Sequence, residues 1–111
     1  MIGVIYARYS SDSQREESIE GQLRECYAFA EIQGISILDT YIDRALPAKT
    51  DNRPAFQQMI NDSSTHSFNI LLVHKLDRFA RNRYDSAVYK RELKKNGVLV
   101  YSVLENLDDS P

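Results

Sequence analysis

The sequence predicts an α/β fold in which a mostly parallel sheet of about four to five strands carries helices on both faces. Segments rich in β-branched and aromatic residues alternate with segments of helical periodicity. Their order is βαβαβαβ, which is typical of parallel sheets. Residues 70–73 are wholly apolar, as expected of a strand that is covered on both faces.

The N-terminal half supplies two strands and one helix. Residues 2–9 are rich in β-branched and aromatic side chains, which predicts the first strand. Residues 18–33 repeat apolar side chains at helical spacing behind acidic first turns, and Gly34 suits a C-terminal stop. Residues 35–42 predict the second strand, and residues 43–53 are polar and irregular.

The C-terminal half continues the alternation. Pro54 favours the first turn of a short helix through Ile60. The other predicted elements are a loop over 61–67, the strand at 70–73, a helix over 83–96 ended by Gly97, and a strand over 98–104. Ligands of such sheets bind beyond the carboxyl ends of the strands. We therefore expect Ser10, Asp43 and residues 77–81 at one edge.

Composition restricts the function classes. Cys26 is the only cysteine, which excludes an internal disulfide and fits a reducing compartment. No apolar run is long enough to span a membrane, and the N-terminus lacks a basic leader, so we expect a cytoplasmic protein without a membrane partner. Residues 74–95 have a charge balance of +5 and the rest of the chain −7. This pattern suits a local anion site, although a solvated basic helix is the simpler explanation of charge alone.

Several motifs are absent from the sequence. It has no GxxxxGK[ST] and no GxGxxG, so it offers no obvious cradle for nucleotides. Ser10 is not in a GxSxG elbow, which weakens an esterase hypothesis. The two histidines, the cysteine and the carboxylates form no pattern typical of a metal site. We therefore expect neither a metal nor a cofactor.

A serine and nearby arginines are the candidate chemistry. Arg8 and Ser10 lie two residues apart at the end of the first strand and share a face if the strand persists. Arg78 and Arg81 are three apart, so one helical turn places them on one side. Guanidinium groups bind phosphate oxygens in pairs and stay charged at any working pH. Structural explanations are also available: Ser10 could be an ordinary turn serine, and Asp77 could neutralise Arg78 within a loop.

Arg53 is a further candidate. Pro54 restricts the preceding residue to extended backbone, so Arg53 is expected to project before the helix starts. Ordinary helix-entry chemistry explains this pattern equally well.

Taken together, these segments resemble the resolvase/invertase and large serine recombinase family over nearly the whole chain. The resemblance rests on residues 6–14, 18–22, Asp43, 53–56, 75–82 and 105–108, in this order and at this spacing. It implies a flavodoxin-like fold and DNA strand cleavage and rejoining in site-specific recombination. It also implies that neither metal nor nucleotide takes part.

The resemblance implies a role for each matching residue. Ser10 would be the nucleophile that forms a 5′-phosphoserine link and releases a 3′-hydroxyl. The arginines that would bind DNA and grip the scissile phosphate are Arg8, Arg53, Arg78 and Arg81. The supporting polar residues would be Gln22, Asp43 and Asp77, of which the two aspartates would orient arginines rather than bind a metal.

The resemblance also implies partners and context. Residues 1–111 would be one catalytic domain, cut before a long association helix and a DNA-binding region. The full-length protein would bind double-stranded DNA and associate into a dimer and a synaptic tetramer. A bacterial, plasmid, transposon or phage origin is expected, and residues 75–108 favour the integrase branch. Residues 44–50 depart from the family, which often has a Gly/Ser-rich stretch here.

Three other functions remain open from the sequence alone. The chain could be a nuclease or phosphatase that uses Ser10 with water as the final acceptor. It could be a non-catalytic flavodoxin-like module that binds a partner or an anion. It could also be a Ser-His-Asp hydrolase that uses His74, although a histidine at a strand end is usually structural.

Overall fold

The computed structural model of this chain describes residues 1–10, 18–46, 53–75, 79 and 83–105. At Ser10, Ala45, Leu46, Arg83 and Asp85 the description is of the backbone. Its elements are β1 (Ile2–Ser10), α1 (Ile19–Gln33), β2 (Ser36–Leu46), α2 (Pro54–Ser63), β3 (Ile70–Val73), α3 (Arg83–Lys95) and β4 (Leu99–Ser102). No helix in these described ranges is long and apolar enough to cross a membrane.

The sheet confirms the predicted fold class. In the described ranges it has four strands, all parallel, in the order β2-β1-β3-β4. The chain passes from β1 outward to β2 and then crosses back to β3 on the other side of β1. The strand order therefore reverses between β1 and β3, and the crevice at such a reversal is where ligands of open α/β sheets bind.

Helices cover both faces, as predicted. Alternate residues of β1 point to opposite sides. Ile5 packs with Cys26 of α1, whereas Tyr6 packs with Phe56 of α2 and Leu93 of α3. The sheet therefore separates a core under α1 from a core under α2 and α3.

Local chemistry explains where the helices begin and end. The Ser18 hydroxyl caps α1 by accepting from the Gly21 amide at 3.0 Å. Gly34 ends α1 in the left-handed region with a φ of 73°, which favours glycine. Arg53 precedes α2 with φ −125° and ψ 81°, so the non-helical backbone predicted before Pro54 is confirmed.

Three predicted boundaries were wrong. The second strand does not end at residue 42 but continues to Leu46, because pairing with β1 extends to Ser10. Residues 61–63, predicted as loop, complete α2. The last strand is shorter than residues 98–104, because β4 spans only the four residues that pair with β3.

Candidate active site

The candidate site lies at the carboxyl edge of β1 and β3. Ser10 is the last residue of β1, and β3 ends at Val73. Past β3, His74, Lys75 and Phe79 are described, whereas Asp77, Arg78 and Arg81 lie outside the described residues. Phe79 is fully buried, so the chain between β3 and α3 returns to the core at this position.

Gln22 fixes the backbone of β1 two residues before Ser10. Its side-chain Nε2 donates to the Arg8 carbonyl at 2.9 Å, and its Oε1 accepts from the Arg8 amide at 3.3 Å. β1 runs beyond its last pair with β3, which joins Tyr6 to Val73, and the register to β2 shifts after Arg8. The fully buried Gln22 amide therefore supplies backbone hydrogen bonds where regular strand pairing is interrupted. The structure thus brings Gln22 and Arg8 together.

Asp43 was predicted to follow the second strand, and this placement was wrong. It lies inside β2, beside Arg8 in the strand register, and only 4% of its surface is exposed. One carboxylate oxygen accepts from the Tyr6 hydroxyl at 2.8 Å and from the Phe56 amide at 3.2 Å. The other accepts from the Ala55 amide at 3.0 Å. Asp43 thus caps the N-terminus of α2 from a neighbouring strand.

Arg53 stands at the position where α2 would normally carry a capping side chain. Its side chain makes no capping hydrogen bond and is only 7% exposed. Its Nη1 instead donates to the Phe79 carbonyl at 2.9 Å. Arg53 therefore links the start of α2 to the segment between β3 and α3.

Tyr6 belongs to this site, although the sequence reasoning gave it no role. Its ring is buried, and its hydroxyl donates to Asp43. Burial raises the pKa of Tyr6 far above its ordinary value; the charges of Arg53 and Arg8 oppose this shift, and that of Asp43 adds to it. Tyr6 is therefore a neutral donor at working pH. A tyrosine among the apolar residues of a buried strand was the available signal, since its hydroxyl needs a partner.

His74 is buried directly after β3. Its carbonyl accepts from the Leu104 amide at 3.1 Å. The Ser102 hydroxyl oxygen lies 3.5 Å from the same carbonyl and donates its proton to the nearer Glu105 carboxylate, at 2.6 Å. These bonds tie the residues after β3 to those after β4, on the side of β3 away from β1.

Comparison with known proteins identifies relatives of this arrangement. Residues 3–111 match the family model described as "Resolvase, N terminal domain". No curated protein matches significantly. Among solved structures, the N-terminal catalytic domain of TP901-1 integrase is 33% identical with a TM-score of 0.85, covering 96% of this chain and 79% of that one.

Two further solved structures are similar. A resolvase family site-specific recombinase from Streptococcus pneumoniae is 27% identical with a TM-score of 0.83, and the match covers 96% of this chain and 74% of that one. The catalytic domain of ISC1926 TnpA, an IS607-like serine recombinase, shares the fold at 22% identity and a TM-score of 0.81, covering 93% and 70%. On the family match over residues 3–111, the chain belongs to the serine recombinase family and carries its resolvase-type N-terminal domain.

Proposed function

We propose that this chain cleaves and rejoins DNA in site-specific recombination, with Ser10 as the nucleophile. Membership of the family supports recombination of DNA. The observation that carries the proposal for Ser10 is its position at the end of β1, beside the point where the strand order reverses. Arg8 lies two residues earlier, and Arg78 and Arg81 follow β3 in the sequence.

The proposed reaction is a phosphoryl transfer from the DNA 3′-oxygen to Ser10. Ser10 Oγ attacks the phosphorus of the scissile phosphodiester and loses its proton. The new bond joins Oγ to phosphorus, and the bond from phosphorus to O3′ breaks, so that O3′ leaves as a hydroxyl. Attack by a 3′-hydroxyl on the phosphoserine reverses these steps. The number of phosphoester bonds is unchanged throughout, so the reaction needs no nucleotide to restore the strand.

We propose that Arg8, Arg78 and Arg81 bind the scissile phosphate. Their fixed positive charges would stabilise the charge that builds up on the phosphate oxygens, and no metal would be required. Gln22 supports this arrangement because it holds the Arg8 backbone. We propose that Asp43 also supports this arrangement, from the neighbouring strand β2. We propose that Asp77 orients a neighbouring arginine.

The proposal extends to the partners of the whole protein. We propose that residues 1–111 form the catalytic domain and act on double-stranded DNA within a dimer and a synaptic tetramer. The 33% identity to the catalytic domain of an integrase favours the integrase branch. We place the reaction in the bacterial cytoplasm, on plasmid, transposon or phage DNA.

A covalent adduct tests the proposal. The chain is fused to a sequence-specific DNA-binding module and incubated with a nicked trapping substrate in the presence of a chelator. We expect a protein–DNA adduct that survives denaturing electrophoresis and is lost in Ser10→Ala. Ser36→Ala is the matched control, because Ser36 is exposed at the opposite end of the sheet. An adduct that persists in Ser10→Ala would show that another residue is the nucleophile, and cleaved DNA without attached protein would favour a hydrolase. Either result contradicts the proposal.

A further inference from the structure

The guanidinium of Arg53 is enclosed by aromatic rings. Its Cζ lies 3.9 Å from the centroid of the Phe56 ring, 5.9 Å from that of Tyr6 and 6.0 Å from that of Tyr89. Cations at these distances are attracted to the ring faces. The rings come from β1, α2 and α3, so three elements fix the position of one side chain. A planar, weakly hydrated guanidinium suits such a site better than an ammonium group.

The rings around Arg53 also pack on each other. Phe56 meets Tyr6 at 5.1 Å, Phe79 at 5.6 Å and Tyr89 at 4.9 Å between centroids, and each pair is edge to face. Phe79 and Tyr89 lie 6.2 Å apart. We call the three rings that face Arg53, together with the Phe79 ring that packs on two of them, the aromatic cage. A close-packed cage of this kind leaves a buried side chain little freedom to swing outward.

The polar end of Arg53 is directed to the backbone of Phe79. Nη1 donates to the Phe79 carbonyl at 2.9 Å, and a hydrogen bond from a charged donor is stronger than a neutral one. Phe79 directly follows Arg78 and precedes Arg81 by two residues. A contact that fixes the Phe79 backbone therefore acts on the chain between these two arginines.

A second buried charge lies at the start of α2. Asp43 is also buried and caps the same end of α2 that Arg53 precedes. Tyr6 borders both groups, since its hydroxyl donates to Asp43 and its ring faces Arg53. Tyr6 therefore connects the two buried charges at the start of α2.

We infer that Arg53 is a positioning residue: it fixes the segment that bears Arg78 and Arg81 by holding the Phe79 carbonyl, and the aromatic cage fixes Arg53. The inference rests on the proposed function and assigns Arg53 a different role from the phosphate contact that the family resemblance implies. It also gives a role to Tyr89, which lies in none of the motifs that carry the resemblance.

A salt titration separates the two roles of Arg53. DNA binding by the fused chain is measured over a range of salt concentrations for wild type, Arg53→Met and Arg8→Met. Loss of one phosphate contact lowers the slope of log K against log salt by about 0.9. We expect that change in Arg8→Met and an unchanged slope in Arg53→Met. A slope reduced by about 0.9 in Arg53→Met would overturn the inference, since it would show a phosphate contact.

Cleavage by the bound complex separates positioning from simple stability. At a temperature where both proteins are folded, we expect Arg53→Met to form the Ser10 adduct at least about tenfold more slowly, because misplaced groups cost rate steeply. An unchanged rate would reduce Arg53 to a structural role. Tyr89→Leu should slow the adduct as well, whereas Tyr89→Phe keeps the ring and should restore the wild-type rate. If Arg53→Met does not fold, the two Tyr89 variants test the positioning role instead.

Hydrogen exchange tests the inference independently of catalysis. In the unfused chain, the peptide that contains Phe79 should exchange faster in Arg53→Met and in Tyr89→Leu, whereas peptides from α1 should not change. If the wild type forms no adduct but this exchange pattern appears, the proposed function fails and the contact between Arg53 and Phe79 stands. Unchanged exchange at Phe79 would overturn the inference whether or not the chain cleaves DNA.

Discussion

The two faces of the sheet are packed with different chemistry. Under α1 the buried cluster is apolar and includes Ile5, Cys26 and Leu72. Under α2 and α3 the buried cluster is rich in aromatic rings, and among them lie the buried charges of Arg53 and Asp43. Both faces use the same strands, because neighbouring residues of β1 point in opposite directions.

The difference separates stability from positioning. Apolar side chains under α1 stabilise the fold through burial, which has no preferred direction. Buried polar groups under α2 and α3 must be desolvated, and each requires partners at defined distances and angles. We expect these groups to contribute more to a defined geometry than to net stability. We therefore expect substitutions on the two faces to separate stability from reaction rate.

The largest effect is expected for a cation at the site edge. Arg8→Met should slow adduct formation at Ser10 by about 10²- to 10³-fold, because the role we propose for Arg8 is to stabilise the transition state with a fixed charge. Cys26→Ala on the other face is the matched control: it should lower the free energy of unfolding by about 1 kcal/mol and leave the rate unchanged well below the melting temperature. Rate constants from denaturing gels give the comparison. An equal rate loss in both variants would erase the distinction between the faces.

Gln22 should link the two effects, because it reaches from α1 to the end of β1. Gln22→Met removes both hydrogen bonds to the Arg8 backbone and leaves two polar groups without their partner. We expect a loss of about 2–3 kcal/mol in the free energy of unfolding and a rate about 10- to 100-fold lower. Denaturant titration and the adduct gel measure the two quantities. A lower stability with a normal rate would show that Gln22 does not position Ser10.

The bond between Tyr6 and Asp43 should appear as coupling. Asp43→Ala removes a helix cap and the acceptor of the Tyr6 hydroxyl, for a loss of about 3 kcal/mol in the free energy of unfolding. Tyr6→Phe removes one bond, for about 1 kcal/mol. The loss of unfolding free energy in the double variant should be about 1 kcal/mol smaller than the sum of the losses in the two single variants. Strict additivity in denaturant titrations would show that the bond contributes nothing.

The smallest effect is a decrease in the free energy of unfolding in alkaline solution, caused by Cys26 on the apolar face under α1. Burial, with a smaller contribution from the nearby Glu25, raises the pKa of Cys26 from 9.0 to about 12. Above pH 9 the thiol ionises in the unfolded chain but not in the folded one, so the stability present below pH 9 is lost as pH rises towards 12. Between pH 8 and 10 we expect a decrease of about 1 kcal/mol in the free energy of unfolding. The same decrease in Cys26→Ala would assign it to other groups.

Much of this fold follows from local sequence. Residues 70–73 predict a buried strand because a short, wholly apolar run suits a strand that is covered on both faces. Gly34 predicts the end of α1 because the left-handed backbone there favours glycine. The end of β2 could not be predicted, because residues 43–46 join the strand only by pairing with β1. Sequence periodicity does not report such pairing.

The candidate site was partly predictable for a similar reason. The family resemblance selects Gln22, Asp43 and Arg53 as site residues, and the structure places them around Arg8 and the segment of Phe79. Their partners lie 12 to 37 residues away along the chain. Local sequence therefore cannot show that Asp43 caps α2 or that Tyr89 contacts Arg53. Those contacts form only when separate strands and helices pack together in the folded chain.

The most direct test of the central claim is the chemistry of the DNA ends. A trapped complex of the fused chain is digested with protease, the modified peptide is mapped by mass spectrometry, and the released strand is assayed for extension by a polymerase. We predict a phosphodiester bond between Ser10 and the 5′ end, together with a free 3′-hydroxyl that a polymerase extends. A free 5′-phosphate with unmodified Ser10, or an adduct on another residue, would contradict the assignment of Ser10 as the nucleophile.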